Sequence, residues 1–364
     1  MRHKIKPAKV ICSTVIVAVS LLWSDTQLLS WGLFNLFTDT HYSREGLEKV
    51  EAFDPDRDIL YLPPLKGKDI FESSRDLSIC RNQSVRKHIY LYLTSKREYL
   101  IRAIERSYRY DDMIQHVMKK NRDIPAEVAL LPLLESCFDP RAVSRSRAVG
   151  LWQFVDNTAR PLGLRRDQWI DERRDVEKST AAAIRHLRNI RGSFPDWALT
   201  LAAYNGGAGY VKRTMEKTGI KDFWKLREGG FLRDETSEYI PKFIALMVIY
   251  ENQRLFGVSD EVRVPRITET ELYTLRHPAD LRDVSRLVGV PLQTIRDLNP
   301  EINSTLTPPG IKNYQLRIPA EARKSLDAKA DALYKTRITG VIAHRVKKGE
   351  SVGSIARLYK KKLR

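Results

Sequence analysis

From residue 84 onward the apolar positions Ile89, Leu93, Leu100 and Ile104 recur at helical intervals, so the folded part of the chain is predicted to open with helix. A second helix is predicted near residues 111–120. Pro125 suits the first turn of the next one, where its missing N–H leaves no bond unmade. Pro132 falls inside the apolar run 124–136 and is expected to kink that helix. Later helices are predicted over 175–191, 195–204 and 237–256, and strand signals are sparse before residue 260. The fold class reads as mainly α. Before residue 86 the breakers Asp54-Pro55-Asp56, Leu62-Pro63-Pro64 and Lys66-Gly67 interrupt any period, which predicts an extended arm.

The tail repeats itself. The apolar positions Leu275, Leu281, Val284 and Leu287 recur with the same spacing as Val346, Val352, Ile355 and Leu358. The first copy continues through Val290-Pro291 and Asn299-Pro300 to Tyr314–Pro319, a strand–helix–helix–strand pattern. The second stops before its second helix, as a truncated or vestigial copy would. Between them, residues 320–343 read as a charged linker with helical character.

The most informative stretch is the apolar run itself. Val128, Ala129, Leu130, Leu131, Leu133 and Leu134 lead to Glu135, placing a carboxylate at the end of a segment that must be buried. A carboxyl stripped of water holds its proton longer, which is what a general acid needs near neutral pH. A lone Glu at a helix end would be a surface residue. Here Gly150-Leu151-Trp152-Gln153-Phe154 and Ala203-Tyr204-Asn205 follow, and these polar blocks favour catalysis. Glycoside hydrolysis usually takes two carboxylates. Asp139 and Asp156 are the nearest in sequence, but neither lies in a comparably apolar run.

Other chemistries find little support. Gly206–Gly209 lacks the third glycine of a dinucleotide loop and the Lys of a phosphate loop. The seven His show no metal-ligand spacing, and Cys137 has no identifiable base. Neither a metal nor a cofactor is expected.

Together with Ser136, Pro140, Ser144, Arg173-Arg174-Asp175, Ser179-Thr180 and Glu235-Thr236-Ser237-Glu238-Tyr239-Ile240-Pro241, these strings resemble the family 1 lytic transglycosylases. Within that family the chain resembles the membrane-bound murein transglycosylase D type, which carries C-terminal LysM repeats. The similarity runs from about Tyr90 to Arg364. It implies a lysozyme-like, goose-type (SLT) catalytic domain over 85–262, followed by a small α+β LysM-like module over 270–320. A linker would cover 321–343 and a partial LysM repeat 344–364; an arm over 27–84 and a signal peptide or anchor over 1–26 would precede the catalytic domain.

The resemblance also implies a reaction: cleavage of the β-1,4 bond between N-acetylmuramic acid and N-acetylglucosamine without water, leaving a 1,6-anhydro end. Glu135 would protonate the glycosidic oxygen and then, as carboxylate, take the proton of the substrate's C6 hydroxyl as it attacks C1. A tethered hydroxyl has a high effective molarity, so no second carboxylate is needed. By the same resemblance Ser144 holds the acid or the sugar, Tyr204 and Asn205 line the saccharide cleft, and Tyr239 approaches the acid. Ser136, next to the acid, and Gln153, whose amide suits an N-acetyl group or a sugar hydroxyl, join them as binding residues. Each has a structural competitor. Ser136 and Ser144 could be turn hydroxyls, Gln153 a solvated side chain, Asn205 a C-cap and Tyr239 a core aromatic. Trp152 and Phe154 are read as cleft walls. Where the family has Gly, this chain has Arg147; if the position needs positive φ, Arg147 strains the turn. That departure keeps a hydrolytic muramidase and a non-catalytic peptidoglycan-binding scaffold in view.

A chain of 364 residues with 42% hydrophobic positions can bury a full core and carry a second small module. Its net charge of +18 implies an anionic partner: nucleic acid, phospholipid headgroups or the carboxylates of peptidoglycan. The N-terminus decides among them. Arg2, Lys4, Lys6 and Lys9 precede an apolar stretch from Val10 to Leu22, the pattern of an export signal. The stretch is short of the roughly 20 apolar residues of a spanning helix, yet no clean cleavage site follows, so it could remain as an anchor. Cys12 sits in no lipobox. Export to the periplasm or envelope excludes nucleic acid and leaves peptidoglycan glycan strands as partner, with the membrane surface second. Of the three cysteines, Cys80 and Cys137 could pair in an oxidising compartment. The resemblance, with a small residue at position 137, favours a free and buried Cys137.

Overall fold

The computed structural model describes residues 82–265, 269–334, 347 and 349–359. The basic–apolar N-terminus, the arm as far as residue 81 and Cys80 lie outside the described residues. Among those described, no helix is long and apolar enough to cross a membrane.

Helix α1 (Gln83–Leu93) is capped by Asn82, whose side chain accepts the Ser84 N–H. The next helix, α2 (Arg97–Met118), is continuous over 22 residues. The separate helix expected near 111–120 is its second half, because Ile114 and Met118 extend the same buried face as Leu100 and Ile104.

The apolar run to the acid is not one kinked helix. A 3₁₀ segment, Ala126–Leu130, ends where α3 (Leu131–Ser136) begins, and Pro132 lies in the first turn of α3. There proline breaks no bond. Cys137 (φ 54°) and Phe138 (φ 53°) then turn the chain out in consecutive left-handed conformations. Each costs roughly 1–2 kcal/mol, offset by the complete burial of Phe138. Cys137 is free and buried.

Short α4 (Asp156–Ala159) precedes α5 (Val176–Arg191), capped by Asp175, and α6 (Trp197–Gly206), capped by Asp196. Gly207, at φ 93°, closes α6, so Asn205 lies within the helix rather than capping it. Two helices that the apolar pattern did not predict follow, α7 (Ala208–Thr218) and α8 (Phe223–Glu228).

At the centre lies α9 (Asp234–Glu251), buried almost throughout from Tyr239 to Tyr250 and packed against α1 and α6. A helix apolar all round belongs inside. Pro241 within it has no N–H for the Ser237 carbonyl, and Arg227 Nε donates to that oxygen instead, at 3.1 Å.

A second core belongs to the tail module. Strands β1 (Thr270–Leu275) and β2 (Tyr314–Pro319) pair antiparallel, Thr270 opposite Pro319 and Leu275 opposite Tyr314. Between them run α10 (Leu281–Val288) and α11 (Leu292–Leu298), the expected strand–helix–helix–strand order. The module does not end at residue 320. Helices α12 (Arg323–Ala328) and α13 (Ala330–Tyr334) bury Leu326 and Leu333 in its core, and the Tyr334 hydroxyl accepts the Arg276 N–H at 3.1 Å. Much of the presumed linker is therefore module, its apolar residues spaced to fit the β1–β2 core. Of the second copy, α14 (Val352–Leu358) is described, with a reciprocal capping box between Ser351 and Ser354.

Candidate active site

Glu135 lies in the last turn of α3, half-buried between α9 and the loop 147–154. Loss of water is the largest influence on its carboxyl and pushes its pKa up to about 7. The nearby Glu235 charge adds to this, and the Tyr239 hydrogen bond opposes it. Tyr239 is buried on α9, and its phenol donates to Glu135 Oε1.

The loop is pinned from three sides. Ser136 Oγ donates to the Leu151 carbonyl at 2.9 Å, the Tyr204 hydroxyl donates to the Trp152 carbonyl at 2.7 Å, and Trp152 Nε1 donates to Thr180 Oγ1 at 3.0 Å. Gln153 sits at φ 48°, its amide donating to the Gly150 carbonyl at 2.8 Å. Its carboxamide oxygen takes no hydrogen bond among the described residues, and its side chain is partly accessible. Burial, then the Glu135 charge, hold the phenols of Tyr204 and Tyr239 well above the usual tyrosine pKa. Both remain donors.

The sequence-predicted residues thus divide. Tyr239 bonds Glu135 directly, Tyr204 lies close enough to sense its charge, and Gln153 belongs to the loop that Tyr204 holds through the Trp152 carbonyl. Asn205 reaches the same region: its amide faces Glu235 Oε1 at 3.5 Å and its oxygen accepts from Thr236 Oγ1 at 3.1 Å. Ser136 is not placed to touch a sugar. It is buried, and its hydroxyl is committed to the Leu151 carbonyl. Ser144 is a turn hydroxyl, accepting the Ala148 N–H at 3.0 Å and pairing with Ser146 Oγ at 2.9 Å. Trp152 and Phe154 are core residues behind the loop rather than cleft walls, at 0% and 2% exposure. Arg147 has φ 62°, so the strain expected from replacing glycine is present.

Two features escaped the sequence. Glu235 is a second carboxylate close enough to act on Glu135. Its signal was available, since it lies four residues before Tyr239 and so shares that helix face. Asp139 and Asp156 are occupied elsewhere, Asp139 by the Arg141 N–H at 2.8 Å and Asp156 by Arg160 at 2.8 Å. The second feature is a buried ion pair, Asp171 with Arg173 (2.6 Å), whose guanidinium also donates to the Phe154 carbonyl at 3.1 Å and the Arg147 carbonyl at 3.3 Å. Gly150 explains the spacing: a Cβ there would lie 1.9 Å from the Arg173 carbonyl oxygen, so only glycine fits.

The chain matches the transglycosylase SLT domain family over residues 112–227, the LysM-like domain of lytic transglycosylase MltD over 269–335 and the LysM domain over 344–363. It therefore carries an SLT transglycosylase domain followed by LysM-type modules. It is similar to membrane-bound lytic murein transglycosylase D of Escherichia coli K12, 34% identical over 231 residues, covering 61% of this chain and 49% of that protein. It is also similar to transglycosylase F of Alcanivorax borkumensis, 28% identical over 145 residues, 36% of this chain and 30% of that one. A third relative is transglycosylase C of Edwardsiella ictaluri, 29% identical over 122 residues, 30% and 34% respectively. The chain spans about half the length of the Escherichia coli relative, at 49%.

Proposed function

We propose that the protein is a lytic transglycosylase that cleaves the β-1,4 bond between N-acetylmuramic acid and N-acetylglucosamine in peptidoglycan, in the periplasm or cell envelope. The observation that carries this reading is Glu135: a largely buried carboxyl held by one phenol, whose loss of water pushes its pKa up to about 7. Such a group is protonated often enough to act as acid and ionised often enough to act as base. Glu135 gives its proton to the glycosidic oxygen as the C1–O bond breaks. Its carboxylate then takes the proton of the substrate's C6 hydroxyl as that oxygen bonds to C1, which restores the acid and consumes no water. Gln153, whose carboxamide oxygen takes no hydrogen bond among the described residues, and Asn205 would grip the sugar, and a gripped sugar presents its own hydroxyl at high effective concentration. The LysM-type modules would hold the glycan strand, and the +18 charge would favour anionic wall and membrane surfaces.

Glu235 favours a second reading. A carboxylate that senses Glu135 could activate a water, making the enzyme a hydrolytic muramidase. Digestion of purified sacculi in ¹⁸O-labelled water separates the two. Transglycosylation gives unlabelled 1,6-anhydromuramic ends; hydrolysis gives reducing ends labelled at C1, and Glu235→Gln would then abolish them. No release of muropeptides would leave only a binding scaffold.

A further inference from the structure

We propose that the first LysM-like module is a built-in support of the catalytic loop, acting through Asn303, Asp171 and Arg173 as positioning residues, rather than a freely tethered binder. The inference rests on the reading of Glu135 and Gln153 as the site. The seam is a short antiparallel patch crossing between the two cores. Asp171 N donates to the Glu301 carbonyl at 2.8 Å, Asn303 N donates to the Trp169 carbonyl at 2.8 Å, and Ile170 pairs with Ile302 between them, both buried. The Asn303 side chain doubles the contact, donating to the Asp167 carbonyl at 3.0 Å and accepting from Arg174 at 3.3 Å. Paired backbone with buried side chains fixes register, which a flexible tether does not.

The seam leads directly to the loop. Asp171, whose N–H the module holds, binds the Arg173 guanidinium through both carboxylate oxygens, at 2.8 and 2.6 Å. Arg173 is 3% exposed and carries the carbonyls of Phe154 and Arg147, while its own carbonyl fills the space beneath Gly150. The segment between those residues holds Gln153, together with Leu151 and Trp152, whose carbonyls accept from the Ser136 and Tyr204 hydroxyls beside the acid. A second strut joins the other side: Arg141, just past the acid helix, binds Asp297 at 2.7 Å and the Arg296 carbonyl at 2.7 Å. A buried ion pair with one partner fixed from outside suits geometry more than stability. A displacement of about 1 Å in a positioning element can cost on the order of 100-fold in rate.

The test uses the full chain with Asn303→Ala, the milder Asn303→Ser, and Asn303→Ala combined with Arg141→Met. Asn303 is exposed, so its truncation leaves both cores intact. Hydrogen exchange of the amides of residues 150–154 should accelerate at least severalfold in the double variant. Turnover of soluble peptidoglycan fragments should fall about tenfold in kcat with KM within a factor of two, since a loosened loop misplaces the reacting centre more than it weakens grip. Asn303→Ser should lie between, and the melting transition of both cores should persist. Unchanged exchange in all three variants overturns the proposal, as does faster exchange with unchanged kcat. The exchange measurement needs no activity, so it remains decisive if the wild-type protein proves not to cleave peptidoglycan.

Discussion

Tyr239 and Glu135 lie 104 residues apart in sequence, and the phenol of the first donates to a carboxylate oxygen of the second. That bond favours the ionised acid, while burial and Glu235 favour the protonated one. The balance near pH 7 is therefore set by groups that can be changed one at a time.

Glu135→Gln keeps the shape and the Tyr239 hydrogen bond but has no proton to give. Muropeptide release from sacculi should fall by on the order of 10²–10⁴-fold or more. The same substitution should change stability with a definite sign. The folded-state pKa of Glu135 is raised from 4.5 to about 7, so its folded form is fully favoured below about 4.5 and progressively penalised as pH rises to 7. The neutral amide escapes that penalty. The variant should match wild type at pH 4 and exceed it at pH 8 by on the order of 1–3 kcal/mol in denaturant titration. Equal stability at both values would mean that the carboxyl is solvated.

The pH profile gives a sharper check, because two substitutions should move it in opposite directions. Cleavage needs protonated Glu135, so kcat/KM should fall as pH rises through about 7. Tyr239→Phe removes a donor to the carboxylate, which raises the pKa and moves this limb to higher pH. Glu235→Gln removes a repelling charge and moves it to lower pH. Both limbs shifting the same way would show that the two neighbours do not act through Glu135.

What the sequence disclosed follows from where its signals are local. The apolar run before Glu135, the helices over 175–191 and 195–204 and the strand–helix–helix–strand order of the tail depend on short spacing, and all of them are present. The kink at Pro132 was wrongly placed because a 3₁₀ segment and a following helix share one apolar pattern until hydrogen bonding is known. Ser136 and Ser144 look alike as hydroxyls near an acid. Only the fold shows one bonded to Leu151 and the other closing its own turn. Glu235 was marked only by its place four residues before Tyr239, a signal that needs the helix to be read, and the Asp171–Arg173 pair acts across the tertiary structure with nothing in its immediate surroundings to mark it.

Ser136→Ala tests the positioning role of that hydroxyl. Loss of the bond to the Leu151 carbonyl, which is then left unpaired in the interior, should cost about 1–3 kcal/mol of stability. If Ser136 holds the loop rather than the sugar, kcat should fall while KM for soluble fragments stays within a factor of two. A rise in KM at constant kcat would instead return Ser136 to the binding face.

Arg147→Gly addresses the strained turn. At φ 62° an arginine costs roughly 1–2 kcal/mol relative to a residue without Cβ. The added freedom of glycine in the unfolded chain returns about 0.4–1 kcal/mol of that. The Arg147 carbonyl continues to accept from Arg173 in either case, so the support under Gly150 is untouched. The two terms leave a net gain of roughly 0–1.6 kcal/mol, visible as a small rise in melting temperature with activity on soluble fragments retained. A loss of stability would show that the Arg147 side chain makes a contact outweighing its backbone strain, and the turn would then have to be read as built around arginine.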